Sequence, residues 1–487
     1  MIQNLLTSLL LLPLIGVVFL CLISPKQRNL LKIVALNFSS LPFIGFLLIW
    51  VGFKEHIVQF QFATKVYWLF NFYFVLGIDG ISLFFLLLTT LLIPICILVS
   101  WTSMDKKFLK EYLIAFLLLE FFLIGVFAIL DVLLFYIFFE SVLIPMYLIV
   151  GIWGSRERKI LAAYYFFFYT LIGSIIMLLS ILYIYLQVGT TDYEMLLTVS
   201  FSELEQKLIW FAFFLAFASK VPMVPVHLWL PEAHVEAPTA GSVILAGVLL
   251  KLGTYGFIRF SIPLFPYASF YFTPLVYTMA AVGIIYTSFT AIRQSDFKRI
   301  IAYTSIAHMN LVMLGIFSFN NLGIEGALFQ SLSHGFVASA LFLVIGVVYE
   351  RYHTRIVKYY GGLATVMPIY ITIFLFFTLA NVSFPGTSSF IGEFLILAGS
   401  LKCNTSVTFL GATGIVIGAA YSLWLFNRIA FGNIKIKFCV KYIDVNKREF
   451  VAFLPLMVGT LVTGILPNIF LGPMHFSVNN LMEFIFI

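Results

Sequence analysis

Lysines, glutamates and histidines recur inside long apolar segments of this sequence, where hydrocarbon would surround most side chains. The segment from Phe217 to Gly256 carries Lys220 and Lys251 together with four prolines. A proline inside a helix removes a backbone donor, so broken backbone at this depth must be buried in protein or line a wet cavity. Snorkelling at a helix end would account for Lys220 alone, but Lys251 lies mid-helix. Ionisable residues inside a membrane are candidates for function, and proton transfer is the chemistry that these residue types share.

Two glutamates lie on neighbouring apolar segments at equal distance from the turn between them. Glu120 and Glu140 are each ten residues from Leu130. Ten residues are roughly 15 Å of helix, so both carboxyl groups are expected near the middle of a roughly 30 Å hydrocarbon core. Adjacent helices of a hairpin would bring the two together as a proton-exchanging pair. The structural alternative is a neutral glutamate that is hydrogen-bonded inside the bundle.

Two histidines repeat this geometry, and a third glutamate follows a second break. His308 and His334 are each thirteen residues from Asn321. A proton relay, a haem ligand pair and satisfied core histidines are the alternatives. Haem is disfavoured, because the sequence has no second pair of histidines placed in this way. Glu393 lies eight residues after Pro385, and its own helix offers no partner before it. Any partner must therefore come from another span.

Other ionisable residues fit structural roles. Asp296, Lys298 and Arg299 are expected to form an orienting charge cluster at the membrane surface, and Asp79 is expected to cap the third span. Two histidines flank the loop after the first break, and for them a structural role and proton uptake stay open: His227 and His234.

Composition excludes a soluble globule. The chain has 487 residues, of which 62% are hydrophobic and 10% charged, and runs of roughly 20 apolar residues, the length that spans a bilayer, recur almost without pause. The net charge of +7 resides in short loops, so it does not indicate nucleic acid. The four cysteines are isolated, so no zinc, iron–sulfur or disulfide framework is expected. The first apolar run has no basic region before it and is interpreted as a span.

The predicted fold class is an all-α polytopic membrane protein with about 14 transmembrane helices. The expected spans are 4–23, 33–53, 80–101, 111–129, 132–153, 162–187, 208–226, 239–260, 271–291, 300–318, 325–349, 367–402 with a break, 407–430 and 450–471. Residues 54–79 are expected to form a loop with a short surface helix, and residues 472–487 an amphipathic tail at the interface.

Spans 4–8 and 9–13 have the layout of two copies of one five-helix unit. The seventh and twelfth spans are each fourth in their unit, and each is interrupted by proline. Because each unit has an odd number of spans, the copies must be inverted, and paired broken helices indicate a transport site. The predicted organisation is one membrane domain, 1–487, divided into N-terminal spans 1–107, repeats 108–260 and 271–431, and a last span with tail 432–487.

Loop charge predicts the orientation. Odd-numbered loops carry 21 lysines and arginines, and even-numbered loops carry 5. This asymmetry places the odd loops on the cytoplasmic or matrix side and both termini on the opposite side.

Four stretches carry a resemblance to a known family. The first is His227-Leu-Trp-Leu-Pro-Glu-Ala-His-Val-Glu-Ala-Pro-Thr-Ala-Gly-Ser, which resembles the signature of the antiporter-like membrane subunits of respiratory complex I. The others are Phe139-Glu-Ser-Val-Leu-Ile-Pro-Met, Arg299-Ile-Ile-Ala-Tyr-Thr-Ser-Ile-Ala-His-Met and Leu379-Ala-Asn-Val-Ser-Phe-Pro-Gly-Thr-Ser-Ser-Phe-Ile-Gly-Glu-Phe. The resemblance covers residues 75–435. Subunits 2 and 5 of that family carry lysine at the last position, so the glutamate favours the subunit 4 group.

The resemblance implies proton translocation that is driven by NADH–quinone electron transfer elsewhere in the complex. It implies a coupled pair at Glu140 and Lys220, and the eighth-span lysine of the family at Lys251. The relay histidines correspond to His308 and His334. The terminal carrier corresponds to Glu393, and Glu120 is a further candidate. No cofactor is expected in this chain, while FMN, iron–sulfur clusters and ubiquinone are expected with other subunits.

The resemblance also implies partners and a location. The partners are other complex I subunits, especially subunits 2 and 5 with the lateral helix of subunit 5, and membrane lipids. The location is the mitochondrial inner membrane or, alternatively, a bacterial plasma membrane. A subunit of a multi-subunit Na⁺/H⁺ antiporter or of an energy-converting hydrogenase is the alternative function.

Overall fold

The chain folds into a helical bundle with one small β-hairpin. The computed structural model describes residues 5–69, 72–103, 108–435 and 443–486. The helices are α1 Leu5–Leu22, α2 Arg28–Gly52, α3 Leu83–Val99, α4 Leu109–Ala128, α5 Val132–Trp153, α6 Lys159–Val188, α7a Glu203–Lys220, α7b Trp229–Glu236, α8 Thr239–Leu264, α9 Thr273–Arg293, α10 Phe297–Ile316, α11 Asn321–Tyr352, α12a Pro368–Asn381, α12b Ser388–Cys403, α13 Thr405–Ala430, α14 Lys447–Ile465 and α15 Asn468–Phe486. Short helical turns lie at Tyr193–Leu196, Pro266–Tyr271, Val357–Tyr359 and Leu363–Val366.

The all-α membrane class is confirmed. Within the described ranges, eleven helices are long and apolar enough to cross a membrane, namely α1, α2, α4, α5, α6, α8, α9, α10, α11, α13 and α14. Each predicted span overlaps a helix, but α3 and both pieces of α12 are shorter, and α7a carries several charges. The count of fourteen and the inverted repeat therefore stay predictions.

The loop at residues 54–79 was expected to contain a surface helix, and that expectation is wrong. Strands β1 Gln61–Leu69 and β2 Phe72–Ile78 form an antiparallel hairpin there. Aromatic and β-branched residues fill both strands, and such side chains suit a half-buried pleated surface. Val75 accepts a 3.0 Å hydrogen bond from the Leu130 amide, so the hairpin is tied to the turn between α4 and α5.

The bundle is built around α11, a helix of 32 residues that is buried along its spanning length. It lies close to α12b because glycines remove side-chain bulk between them. A Cβ on Gly326 would come within 2.7 Å of the Ile396 backbone nitrogen, and one on Gly399 within 2.5 Å of the Gly323 backbone nitrogen. Small residues of this kind let membrane helices approach closely, and here they bring the side chains of α11 and α12b together.

Four basic residues that the sequence placed in loops are buried, namely Lys32, Arg259, Lys298 and Arg355. Arg259, counted with the even loops, lies in α8 and its Nη2 is 2.5 Å from Asp79 Oδ1. Asp79 also accepts the predicted hydrogen bond at the start of α3, from the Ser82 amide at 3.0 Å. Lys298, counted with the odd loops, is 3% exposed, so the predicted surface cluster is wrong at this residue. Four further loop lysines lie outside the described residues: Lys106, Lys107, Lys437 and Lys441.

Candidate functional site

Four side chains from four helices form a row inside the bundle, three of them buried and the His308 side chain 14% exposed. We call Lys251, His334, His308 and Glu393 the central row. Lys251 Nζ is 2.7 Å from His334 Nδ1, the rings of His334 and His308 lie 5.8 Å apart between centroids, and His308 Nδ1 is 3.0 Å from Glu393 Oε1. Each member can hold and release a proton. The row is therefore a chain of proton donors and acceptors from α8 to α12b.

Irregular helix positions the first member. Two π-helical turns, Leu245–Leu249 and Phe257–Ser261, flank the α-helical turns of Lys251. Such turns release carbonyls from the regular ladder and are frequent at functional sites. The Ala246 carbonyl, in the first of them, accepts a 2.5 Å hydrogen bond from Lys251 Nζ. The irregular backbone thus provides a hydrogen-bond acceptor for an amine that is buried in protein.

The two histidines come together because α10 and α11 form a hairpin. The side chain of Asn320 accepts a 2.8 Å hydrogen bond from the Gly323 amide and so begins α11. From this turn the two helices return side by side, which places both rings at one depth as the sequence predicted. His334 contacts Lys251 on one side and His308 contacts Glu393 on the other, so the pair joins the ends of the central row.

Glu393 receives its partners from other helices, as predicted. In addition to His308, Gln330 Nε2 donates a 3.1 Å hydrogen bond to Glu393 Oε1. The preceding break, Val382 to Thr387, contains Gly386 at φ 92°, a left-handed conformation that favours glycine. A cavity of about 20 Å³ borders Glu393 and His308, which is enough for one water molecule.

Small hydroxyls line the same break. Ser333 Oγ lies 2.7 Å from Ser388 Oγ and 2.8 Å from Ser389 Oγ, so α11 and the start of α12b are joined by hydrogen bonds. Thr387 instead donates its hydroxyl to the Phe384 carbonyl at 2.7 Å. These hydroxyls add polar groups beside the terminal carboxyl.

A second charged pair lies at the first break. Lys220 is the last residue of α7a, and its ammonium lies 4.9 Å from the ring centroid of Phe139 and 5.6 Å from that of Phe166. Glu140 interacts electrostatically with Lys220. Among the described residues, neither Lys220 Nζ nor the buried Glu140 oxygens have a hydrogen-bond partner in contact. The pair is thus close enough for each charge to influence the other, without a direct ion pair.

Glu120 does not join Glu140, contrary to the predicted carboxyl pair. Its side chain is fully buried in α4, and both oxygens lack a hydrogen-bond partner within the described part of the chain. The spacing from Leu130 fixed the depth of the two residues, but the direction of each side chain around its helix depends on packing. The structure therefore pairs Glu140 with Lys220 and leaves Glu120 apart.

The sequence also missed two polar contacts. Lys298 reaches inward instead of toward the surface, and its Nζ donates to the Ala237 carbonyl at 2.7 Å and to Ser242 Oγ at 2.9 Å. On the side of the even-numbered loops, His475 Nδ1 of α15 lies 2.6 Å from Glu325 Oε1 of α11. The histidine in the tail and the glutamate near the start of α11 carried no spacing signal that links them.

His227 and His234 differ in environment. The ring of His227 lies near Tyr286 and Tyr303, at centroid distances of 5.8 and 6.5 Å. His234 is fully buried and stacks on Phe342 at 4.4 Å. Electrostatic interactions connect His234 with Lys298 and with Lys251.

Comparisons with known proteins place this arrangement in a class. Residues 130–419 match the family described as NADH:quinone oxidoreductase/Mrp antiporter, TM, so the chain is an antiporter-like membrane protein. The chain is 58% identical to NADH-ubiquinone oxidoreductase chain 4 of Marchantia polymorpha over 98% of its own length and 97% of the relative. The identity and both coverages are the same for chain 4 of Arabidopsis thaliana. The chain therefore belongs to the NADH-ubiquinone oxidoreductase chain 4 family.

Solved structures agree with this membership. A chain of respiratory complex I from Thermus thermophilus with bound NADH superposes with a TM-score of 0.89 at 30% identity, with full coverage of both chains. An archaeal membrane-bound sulfane sulfur reductase complex contains a chain with a TM-score of 0.85 at 22% identity, covering 94% of this chain and 76% of that one. The second likeness shows a shared fold alone. No cluster of three or more metal-ligating side chains occurs in the described segments.

Proposed function

We propose that this chain moves protons through the central row as a membrane-arm subunit of a proton-translocating NADH:ubiquinone reductase. The observation that carries the proposal is the alignment of the row, with contacts of 2.7 and 3.0 Å on either side of two histidines whose tilted rings lie 5.8 Å apart between centroids. Proton transfer requires donor and acceptor within hydrogen-bond reach or joined by one water. Membership of the chain 4 family supports the same role.

The Glu140 and Lys220 pair controls proton movement along the central row. An ammonium surrounded by aromatic rings in a low dielectric depends on a nearby negative charge. Protonation of Glu140 removes that charge, so Lys220 then releases its proton more readily toward the rest of the bundle. Electron transfer elsewhere in the complex would drive this switch. Glu120 remains a further candidate without a partner of its own.

The proposed setting follows from the family and from loop charge. The chain lies in the mitochondrial inner membrane, with odd loops toward the matrix and both termini toward the intermembrane space. Its partners are the antiporter-like subunits 2 and 5, the lateral helix of subunit 5 and lipid. FMN, iron–sulfur clusters and ubiquinone belong to other subunits, and this chain holds no redox centre.

The proposed internal organisation is a pair of inverted units, 108–260 and 271–431, between the N-terminal spans 1–107 and the last span with its tail, 432–487. The two breaks support it, because α7a and α12a each end where the fourth helix of a unit is interrupted. Lys220 lies at one break and Glu393 follows the other, so the units would place one proton-binding group each at corresponding positions.

The test is Glu393→Gln in the assembled complex. Glutamine keeps the size of the side chain and can still accept from Gln330, but it cannot carry a proton. We expect native gels to show normal assembly and NADH to reduce ferricyanide normally, while proton uptake into inverted membranes falls by about tenfold or more. Glu194→Gln, at an exposed glutamate, is the matched control and should pump normally.

Two results would contradict the proposal. Normal proton uptake in an assembled Glu393→Gln complex would remove this residue from the path. A purified complex that lacks flavin, does not reduce quinone with NADH and exchanges Na⁺ for protons would instead support the antiporter alternative.

A further inference from the structure

A polar cavity lies outside the central row, at the helix ends that face the odd-numbered loops. Its volume is about 410 Å³, and residues from the ends of α3, α4, α5, α8, α10 and α11 line it. A cavity of this size holds several water molecules, so it also has room for a small hydrated anion. Two of the lining side chains are cationic, Lys298 and Arg355.

The protein itself fixes the position of Arg355. The Phe297 amide, at the start of α10, donates a 2.8 Å hydrogen bond to the Arg355 carbonyl. The guanidinium carbon lies 4.6 Å from the ring centroid of Tyr349, and Nη2 donates to Ser155 Oγ. The side chain is therefore ordered by backbone, ring and hydroxyl contacts before any ligand enters the cavity.

These contacts leave most of the donors of Arg355 unused. The residue is 1% exposed, and neither Nε nor Nη1 has a hydrogen-bond partner among the described residues. Of the ion pairs that the described part of the chain forms, none includes Arg355. A buried charge without a counter-charge is costly. A negatively charged group in the cavity would supply both the acceptors and the counter-charge.

Two further features of the cavity wall favour an anion. Lys298 is 3% exposed, donates to two neutral acceptors and repels Arg355 electrostatically. Glu236 and Asp296 interact electrostatically with Lys298, but neither reaches Arg355 as an ion pair. The first turn of α8, which begins at Thr239, also lines the cavity. Amides in the first turn of a helix have no intrahelical acceptor, and the helix dipole favours an anion there.

Glu350 is the acidic side chain that lines this cavity. Its electrostatic interactions are with Arg351 and with two residues of α14, Arg448 and Glu449. The carboxyl group therefore belongs to the charge cluster on the α14 side of the cavity, and it does not neutralise Arg355.

We propose that this cavity binds a phosphate group, held by Arg355, Lys298 and the first turn of α8, and supplied by inorganic phosphate or by the headgroup of an anionic phospholipid. Phosphate oxygens accept strong charge-assisted hydrogen bonds from guanidinium groups, and helix N-termini bind the same group. Basic pockets between membrane helices on this side bind anionic lipid headgroups. The inference goes beyond the proposed function and does not depend on proton movement through the central row.

The first experiment measures protection of a cysteine in the cavity of the purified, detergent-solubilised complex. Ser103→Cys lies on the cavity wall, and Ser295→Cys is exposed on the same face outside it. Each is treated with an anionic methanethiosulfonate reagent in phosphate or in chloride of equal ionic strength, and the unsubstituted complex reports the reaction of native cysteines. We expect phosphate at several times its dissociation constant to slow labelling at 103 by about fivefold, because only the unoccupied fraction reacts. Labelling at 295 should not change.

The same labelling rate distinguishes the two sources of the phosphate group. If a phospholipid supplies it, labelling at 103 is slow in the purified complex and becomes fast after delipidation. Added dihexanoyl phosphatidylglycerol then slows it again, whereas inorganic phosphate does not. If inorganic phosphate is the ligand, phosphate protects position 103 without any effect of delipidation. Lack of protection by either compound, before and after delipidation, would overturn the site.

The second experiment combines Ser103→Cys with Arg355→Gln or with Arg158→Gln. Glutamine at 355 keeps a donor for Ser155 but removes the charge, and Arg158 is an exposed arginine on the same face outside the cavity. We expect the protection at 103 to be lost with Arg355→Gln and kept with Arg158→Gln. Full protection in an assembled Arg355→Gln complex would overturn the proposal. If that variant does not assemble, the protection measured with Ser103→Cys alone decides.

Discussion

The ammonium group of Lys220 is stabilised by two ring faces and by the nearby carboxylate of Glu140, without a direct ion pair. Its Nζ lies 4.9 Å from the Phe139 centroid and 5.6 Å from that of Phe166, and such cation–π contacts contribute about 0.5–2 kcal/mol each. They lower the cost of holding the charge without fixing the proton. Because the hydrogen-bond partners seen at Lys251 are missing here among the described residues, the protonation of Lys220 depends strongly on Glu140.

Lys220→Ala is expected to depress proton pumping and coupled NADH oxidation together, because the switchable charge is lost. Lys220→Arg keeps the charge and the ring contacts, but arginine does not readily deprotonate, so it should not restore pumping. Proton uptake and NADH–quinone activity of both variants provide the measurement. If the arginine variant pumps normally, Lys220 acts as a fixed charge and the switch is wrong.

At this scale, the sequence predicts which ionisable residues lie inside the bundle better than it predicts their partners. The depth of His308 and His334 followed from their spacing, and the histidines do meet. The partner of Glu393 was predicted only as a residue of another span, since the contact with His308 depends on how α10 and α12b pack. Lys298 was placed at the surface because it lies near other charges in a short loop, whereas its long side chain turns inward.

At the scale of helices, the close approach of α11 and α12b aligns the acidic end of the central row. Gly326 faces the backbone of Ile396, and Gly392 faces Gln330, the residue that donates to Glu393. Added bulk at either glycine would separate the two helices and lengthen the contacts of the row. This interface therefore links helix packing directly to proton transfer.

Gly326→Ala is expected to destabilise the subunit by about 1–3 kcal/mol, the usual cost of overpacking. The added Cβ would meet the Ile396 backbone nitrogen at 2.7 Å, and backbone cannot move aside as a flexible side chain can. We expect less assembled complex on native gels and a lower thermal midpoint. Gly151→Ala, where the nearest atom is 3.7 Å away, is the control. Equal stability of the two variants would contradict the glycine interface.

Long apolar helices could be predicted because composition and length suffice for them. The β1–β2 hairpin could not be predicted in this way. Its aromatic and β-branched residues have the composition of an apolar segment near the membrane, and composition alone does not distinguish a strand from a helix. The π-helical turns around Lys251 were also beyond sequence reasoning, because they follow from packing against neighbouring helices. These turns matter, since one of them supplies the carbonyl of Ala246 to Lys251.

At the scale of the whole molecule, the central row defines a direction, because it runs from Lys251 to Glu393 and to a small cavity beside Tyr421. Net transport from matrix to intermembrane space requires that the odd loops face the matrix. Burial takes Lys32, Lys298 and Arg355 from the odd side of the charge count and Arg259 from the even side. The odd loops still carry far more basic residues, so the asymmetry remains large.

The orientation can be measured with single cysteines at exposed serines on both faces. Ser155 and Ser295 lie in odd loops, and Ser200 lies in an even loop. In inverted membranes, an impermeant thiol reagent should label cysteines at 155 and 295 and leave one at 200 unlabelled. In mitoplasts with an intact inner membrane, the pattern should reverse, while a permeant reagent should label all three. Labelling of position 155 or 295 from the intermembrane side would contradict the topology.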